Sequence, residues 1–484
     1  FRLRCRVLRT DMDNFERIAC KEAGSASSCV LDFINSTSDI CIHGFILMRH
    51  GKIFAEKMYR NFKADKPQRL YSVTKTFVSA AIGMLYTEGK LSLDDKITEL
   101  FGRKSEYKWV NDMTVRDCLM MATCYNGTTY KYTDPDWVET FLGGIPTHPP
   151  GTVFHYDTSG THALGALVEN ITGMELMEYL RNKMGLSYDS DCVKSPEGYS
   201  WGGSGGIATM YDMARLAMLF MSGGILDGKR LIARDYAEAA VTKQIDSDSG
   251  FNNRWTKGYG YQIWMTEFGF AIFGAGSQYA FCVPDKELCF ICTANTLGDD
   301  AKGRRIEEAF KRYILETLDK GIEDNYEDIR KLDSMKLDLP AVVNIDEHIT
   351  GSGVYELKEN PMGIFEISLD WDNECLNYKT NRGDKSLYFG RGEYRDTKLP
   401  ETQYFGRQIG ISANREYSCC AAGGWVEKNK CHIKVWVIDD HTGSVDITLV
   451  FKDDEISVCM RKNGEWYLDE YSGFAGGKKI IDRN

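Results

Sequence analysis

The chain has 484 residues, 43% of them hydrophobic and 12% aromatic, with a formal net charge of -11. That length exceeds what one core usually supports and predicts two domains, while the acidic balance, with no concentrated Lys/Arg face, argues against a nucleic-acid partner. No run of eighteen apolar residues occurs, so no segment is expected to span a bilayer, and fifteen cysteines without repeated spacing read as reduced thiols of a cytoplasmic protein.

In chain order, the opening Phe1–Val7 is basic but too short for a signal peptide. Residues 12–40 read as helical at the start and loop-like later. Gly44–Met48 and Lys52–Glu56 flank Arg49-His50-Gly51, the pattern of a β-hairpin. From Ser72 a helix is predicted, with Val73, Phe77, Ala80, Ala81, Met84 and Leu85 on one apolar stripe. Thr114-x-x-Asp117 and Thr209-x-x-Asp212 are capping boxes opening two further helices, the second stopping at Gly223-Gly224. Tyr125–Pro150 is rich in Tyr, Thr, Gly and Pro and reads as surface loops around a cleft, and a helix is expected from Ala163. Phe268–Phe273, Gln278–Val283 and Leu288–Thr293 read as adjacent strands, followed by a long helix over Lys302–Leu318. The expected division is 1–320, a charged linker at 321–340, and a C-terminal domain at 341–484. Alternating runs in that last region, such as Cys431–Val437 and Asp446–Val450, predict an antiparallel barrel or sandwich.

One short stretch carries chemistry. Ser72 falls in the first turn of its helix, where unpaired N–H groups and the dipole stabilise developing negative charge. Lys75 lies one turn on, on the same face. A serine hydroxyl is a weak nucleophile at neutral pH, and a lysine held against a buried helix has reason to shed its proton and accept the serine's. Taken alone the pattern equally describes a solvated helix start. Other candidates are weaker: Cys289 and Cys292 have the spacing of a metal half-site, but residues three apart in a strand face opposite ways and no second pair follows. The glycine-rich Trp201–Gly206 lacks the Lys-Ser/Thr of a phosphate loop and reads as a cleft wall with Trp201 lining the pocket. His155 and His162 read as structural.

The ordered set Tyr71-Ser72-Val73-Thr74-Lys75, then Gly151–Thr158 around Tyr156, then Gly274-Ala275-Gly276-Ser277-Gln278 before a Pro-Asp turn, resembles the serine β-lactamase and penicillin-binding-protein family. Its class C, D-aminopeptidase and esterase branch is nearest, over residues 40–320. The resemblance implies an α/β fold, an antiparallel sheet flanked by helices with an all-helical subdomain. It also implies an acyl-enzyme on Ser72, Lys75 as base, Tyr156 as proton relay and no cofactor or metal. Backbone N–H groups of Ser72 and of the strand near Ser277 would form the oxyanion hole. By the same resemblance Thr158, Gly276 and Ser277 stand at substrate-contact positions. Two departures bear on the substrate. Thr158 stands where Asn is usual, and Ala271–Ala280 holds neither the Lys nor the His that pairs with the carboxylate of β-lactams and D-Ala-D-Ala peptides. The implied activity is therefore hydrolysis of an ester, amide or short peptide. A β-lactamase or D,D-carboxypeptidase and a non-catalytic peptide or cell-wall-fragment binder are the alternatives.

Overall fold

Six antiparallel strands form the central sheet, in the spatial order Lys52–Met58, Ile42–Arg49, Leu288–Ala294, Gln278–Val283, Phe270–Gly274 and Trp264–Met265. The structure is a computed structural model that describes residues 15–247, 257–346, 353–401, 415–465 and 468–480. The basic opening Phe1–Val7 lies outside those residues.

Period-two alternation decides what each face of the sheet covers. Ala280, Cys282, Cys289 and Ile291 join the core that contains Val73, Phe77, Ala80, Ala81 and Met84 of helix Val73–Thr87 and Leu216, Leu219 and Phe220 of helix Met210–Met221. Their neighbours Phe281 and Phe290 are directly opposed in register and turn to the other face. There Phe290 stacks on Phe310 and packs edge-on against Phe33, Phe281 lies tilted against Phe310, and Phe45 packs edge-on against Phe33. Each such ring contributes about 1.5–3 kcal/mol by leaving water. The outer layer is helix Ser27–Ser36 together with Asp300–Ala309, which widens into a π-helical turn at Phe310–Leu315.

The hairpin, both capping boxes and the three later strands form as expected. Four local expectations differ. In 15–40 the helix comes late, at Ser27–Ser36, after a turn at 20–24 that ends on Gly24 with φ +69°. Within Tyr125–Pro150 a helix, Trp137–Leu142, forms because Asp136 caps it and Trp137 and Phe141 are fully buried. The helix expected from Ala163 begins five residues earlier, at Thr158, capped by Asp157. The expected linker holds helix Tyr326–Ser334, whose Asn325 accepts from the Asp328 N–H while Ser27 N–H donates to Asp324.

The chain separates into two compact units. The first takes the described residues up to Thr37, with Ile42–Thr296 and Asp300–Leu337. The second takes Ser38–Cys41, Leu297–Asp299 and the described residues from Asp338 onward. That second unit is one eleven-stranded, nearly closed sheet, antiparallel except where Gly390–Arg391 runs parallel to Ser418–Glu427. Inward residues such as Cys431, Ile433 and Val435 alternate with outward ones, and Trp425, Ile447, Leu449, Phe451 and Val458 fill its core. Among the described residues, no helix is long and apolar enough to cross a membrane.

Candidate active site

Helix Val73–Thr87 is buried from Val73 through Leu85, so its first turn is held rigidly. Tyr71, at φ +50°, turns the chain from strand Gln68–Arg69 into that helix, a conformation that non-glycine residues adopt only when their surroundings impose it. Ser72 is the N-cap, yet its side chain makes no capping hydrogen bond. An N-cap serine ordinarily spends its hydroxyl on the N2 or N3 amide. Here the hydroxyl is left for other partners.

Two of those partners are Lys75 and Tyr156. Lys75 Nζ lies 3.3 Å from Ser72 Oγ and 3.3 Å from Thr158 Oγ1, and it donates to the Gly203 carbonyl. The side chain is 1% exposed, and burial pulls its ammonium down to about 7, with the Asp157 carboxylate opposing part of that fall. A neutral amine has two N–H donors and one lone pair. A carbonyl oxygen only accepts, so Gly203 takes one N–H; with the other given to Thr158 Oγ1, the lone pair is left for the Ser72 proton.

Gly203 reaches Lys75 through a three-stranded patch. Gln68 and Arg69 pair with Ala208 and Ile207, Leu70 N–H donates to the Gly206 carbonyl at 2.9 Å, and Gly206 N–H donates to Thr74 Oγ1 at 2.8 Å. Arg69 Nε adds a bond to the Ser204 carbonyl at 2.9 Å. The loop is thereby tied to both sides of Ser72 in sequence.

The Tyr156 ring centroid lies 4.9 Å from Lys75 Nζ, and its phenol is near enough to the Ser72 side chain to feel it. Burial pushes the phenol up to about 12, against the pull of Ser72, so it carries its proton at neutral pH. The next residue, Asp157, is wholly buried and caps helix Thr158–Thr172. Its carboxylate accepts from Ser159 N–H at 2.8 Å and Thr123 Oγ1 at 2.9 Å, and burial raises its pKa. That cap places Thr158 at the helix start, where its N–H also donates to Thr128 Oγ1 at 3.1 Å.

Ser72, Lys75, Tyr156 and Thr158 thus converge, from positions 83 residues apart in the case of Lys75 and Thr158. The other expected site residues behave differently. Trp201 is buried: its Nε1 donates to the Tyr130 hydroxyl at 2.8 Å, and its ring packs edge-on against Tyr132 and Trp137. It supports the loop that carries Gly203. The Ser277 hydroxyl is likewise buried, 2.6 Å from Thr296 Oγ1 and 3.1 Å from the Tyr279 hydroxyl, so its side chain serves the turn. Gly276 (φ +76°) and Ser277 (φ +72°) both take the left-handed conformation that reverses the strand. The strand before that turn reaches the site's border, since a Cβ on Gly274 would stand 2.1 Å from the Leu70 carbonyl oxygen. His162, read as structural, is buried and 2.8 Å from Glu197 Oε1.

Residue reading passed over Asp157, the Gly203 carbonyl and Trp264. Asp157 had a signal in its place before a helix, as an N-cap. A backbone carbonyl leaves no trace in residue type, and Trp264 lies 108 positions after the ring it stacks on.

Comparison with known proteins agrees with this architecture. The family model described as Beta-lactamase matches residues 44–311. A 6-aminohexanoate-dimer hydrolase of Paenarthrobacter ureafaciens is 23% identical over 263 residues, covering 49% of this chain and 67% of that protein. Protein flp of Staphylococcus aureus is 26% identical over 155 residues, 28% of this chain and 31% of that protein. Among solved structures, a penicillin-binding-protein homologue from Caulobacter crescentus aligns with a TM-score of 0.48 at 18% identity, over 60% of this chain and 99% of that one.

Proposed function

The chain belongs to the Beta-lactamase family, and on that premise we propose that it is a serine hydrolase cleaving an ester or amide through an acyl-enzyme on Ser72. The observation that carries the reading is the buried Lys75 amine, held at the Gly203 carbonyl and Thr158 Oγ1 with its nitrogen 3.3 Å from Ser72 Oγ. Lys75 takes the Ser72 proton as the Oγ–carbon bond forms, and the carbonyl oxygen collects the negative charge. The Ser72 N–H at the helix start and an N–H from the strand end at 274–276 are the donors suited to that charge. Tyr156, protonated and beside Ser72, hands a proton to the leaving group and is restored from Lys75. Water then attacks the acyl carbon by the reverse path, and Ser72 is released.

The substrate class follows from what the site lacks. The turn Ala275-Gly276-Ser277 offers no cation, so substrates without a carboxylate at that position are favoured: neutral esters, amides or short peptides. The Paenarthrobacter relative is by its name a hydrolase of a 6-aminohexanoate dimer, which supports an amide among these substrates.

A fluorophosphonate probe tests the reading. Wild-type protein should be labelled and Ser72→Ala should not; folded wild type that resists the probe would remove the proposal. The pH dependence is a second check. The base must be unprotonated, so kcat/KM for a neutral ester should climb about tenfold per pH unit below the Lys75 value of about 7 and level off above it. A flat profile from pH 5 to 8 would exclude Lys75 as the base.

A further inference from the structure

We propose that Trp264 is a positioning residue for the reaction, setting the Tyr156 ring so that it reaches Ser72 at its hydroxyl and Lys75 at its face. The proposal rests on the serine-hydrolase reading above and adds a residue outside the three sequence motifs.

The geometry is specific. Trp264 and Tyr156 are stacked, with ring planes 10° apart and centroids 5.6 Å apart. Phe154 and Tyr259 pack edge-on or tilted against Trp264 at 5.8 and 4.7 Å and against each other at 5.3 Å, closing the rest of an aromatic wall. Stacked aromatic pairs attract beyond their buried area, and that preference is directional. A tyrosine has two soft torsions, and any contact with Ser72 at the hydroxyl would restrain only its tip. Trp264 restrains the plane.

The segment bearing Trp264 is itself fixed to the site. Gln262, two residues earlier and 3% exposed, donates from Nε2 to the carbonyls of Cys118 and Leu119 at 2.8 and 3.1 Å and accepts at Oε1 from Thr161 Oγ1 at 2.8 Å. Its own carbonyl accepts from Thr76 Oγ1 at 2.8 Å. Thr76 follows Lys75, and Thr161 lies one turn beyond Thr158. One glutamine therefore locks the Trp264 hairpin to both helices that supply the reacting groups. Trp264 then pairs with Ala271 at the sheet edge, which fixes the direction of its side chain.

The chemistry explains what the arrangement achieves. When Ser72 gives its proton to Lys75, a full ammonium forms in a buried place with the Tyr156 ring 4.9 Å from it. An aromatic face attracts a cation most where water is absent. A tilted ring would withdraw both that face and the hydroxyl that must next deliver a proton to the leaving group. The step that suffers is proton transfer, not substrate capture.

The experiment uses full-length protein and a neutral chromogenic ester. Trp264→Leu should lower kcat about tenfold or more with KM changed less than threefold, and admission of water beside Lys75 should move the acidic limb of the pH profile upward. Trp264→Phe keeps a stacking ring and should recover most of kcat. Wild-type kcat and pH profile in a folded Trp264→Leu overturn the proposal, as does equal loss in the Phe and Leu variants. Fluorophosphonate labelling separates the two levels. If wild type is unlabelled the hydrolase reading fails; if wild type and Trp264→Leu are labelled at equal rates, only the Trp264 inference fails.

Discussion

Replacing Lys75 with Met should abolish activity while making the protein more stable at low pH and less stable at high pH. The loss of activity follows from removing the base: general-base catalysis is typically worth 10²–10⁴-fold, so kcat/KM should fall by about 10³. The stability change follows from burial. Lys75 is 1% exposed and its ammonium falls from 10.5 to about 7. At about 1.4 kcal/mol per pH unit, holding that charge in the folded state costs ~4–5 kcal/mol below pH 7.

Between pH 7 and 10.5 the unfolded chain still binds the proton that the folded site has released, so this group makes wild type more stable as pH rises across that window. Below pH 7 both states carry the proton and the whole penalty stands. Methionine has no such group. It does leave the Gly203 carbonyl without its donor, at about 1–3 kcal/mol. The Met variant should therefore melt a few degrees above wild type at pH 6 and slightly below it at pH 10. Melting curves that differ by the same amount at both pH values would mean that Lys75 is not neutralised by the fold.

How much of this was visible in residues alone divides along a physical line. Ser72 and Lys75 were legible as a serine and a lysine one turn apart at a helix start, and Tyr156 and Thr158 only through the resemblance of Gly151–Thr158 to a family motif. The capping boxes at Thr114 and Thr209 were legible because they close within four residues. Helix Trp137–Leu142 was hidden by a loop-like composition around it, and only burial of Trp137 and Phe141 decides in its favour. Trp201 read as a pocket wall because glycines surround it. Those glycines instead let its loop lie against helix Thr158–Thr172, where a Cβ on Gly202 would stand 3.3 Å from the Gly165 Cα, and Trp201 is drawn inward. Ser277 was read as a substrate-contact position beside a strand; it lies on the turn between strands, and which way its hydroxyl points depends on Thr296 and Tyr279. Long-range placement of backbone atoms, above all the Gly203 carbonyl, has no residue signature.

That carbonyl supplies the second large effect. Gly203→Ala should lower activity by about 10²-fold and stability by ~2–3 kcal/mol, because the added methyl has no space and its neighbours are the reacting groups' supports. A Cβ at Gly203 would stand 2.2 Å from Thr158 Cγ2 and 2.8 Å from the Thr158 carbonyl. Relief requires either the loop to retreat, taking the carbonyl from Lys75, or the start of helix Thr158–Thr172 to move, taking the Thr158 hydroxyl. Both routes release one of the two acceptors that aim the Lys75 lone pair. Thr158→Ser distinguishes this from general damage, since it deletes Cγ2 and keeps the hydroxyl. Alone it should be mild. Combined with Gly203→Ala it removes the closer clash and leaves the 2.8 Å contact, so the double variant should regain about 1–2 kcal/mol relative to the sum of the single changes. Strictly additive losses in thermal melting and in kcat would show that the loop does not act through Thr158, and that the Lys75 amine is oriented by some other group.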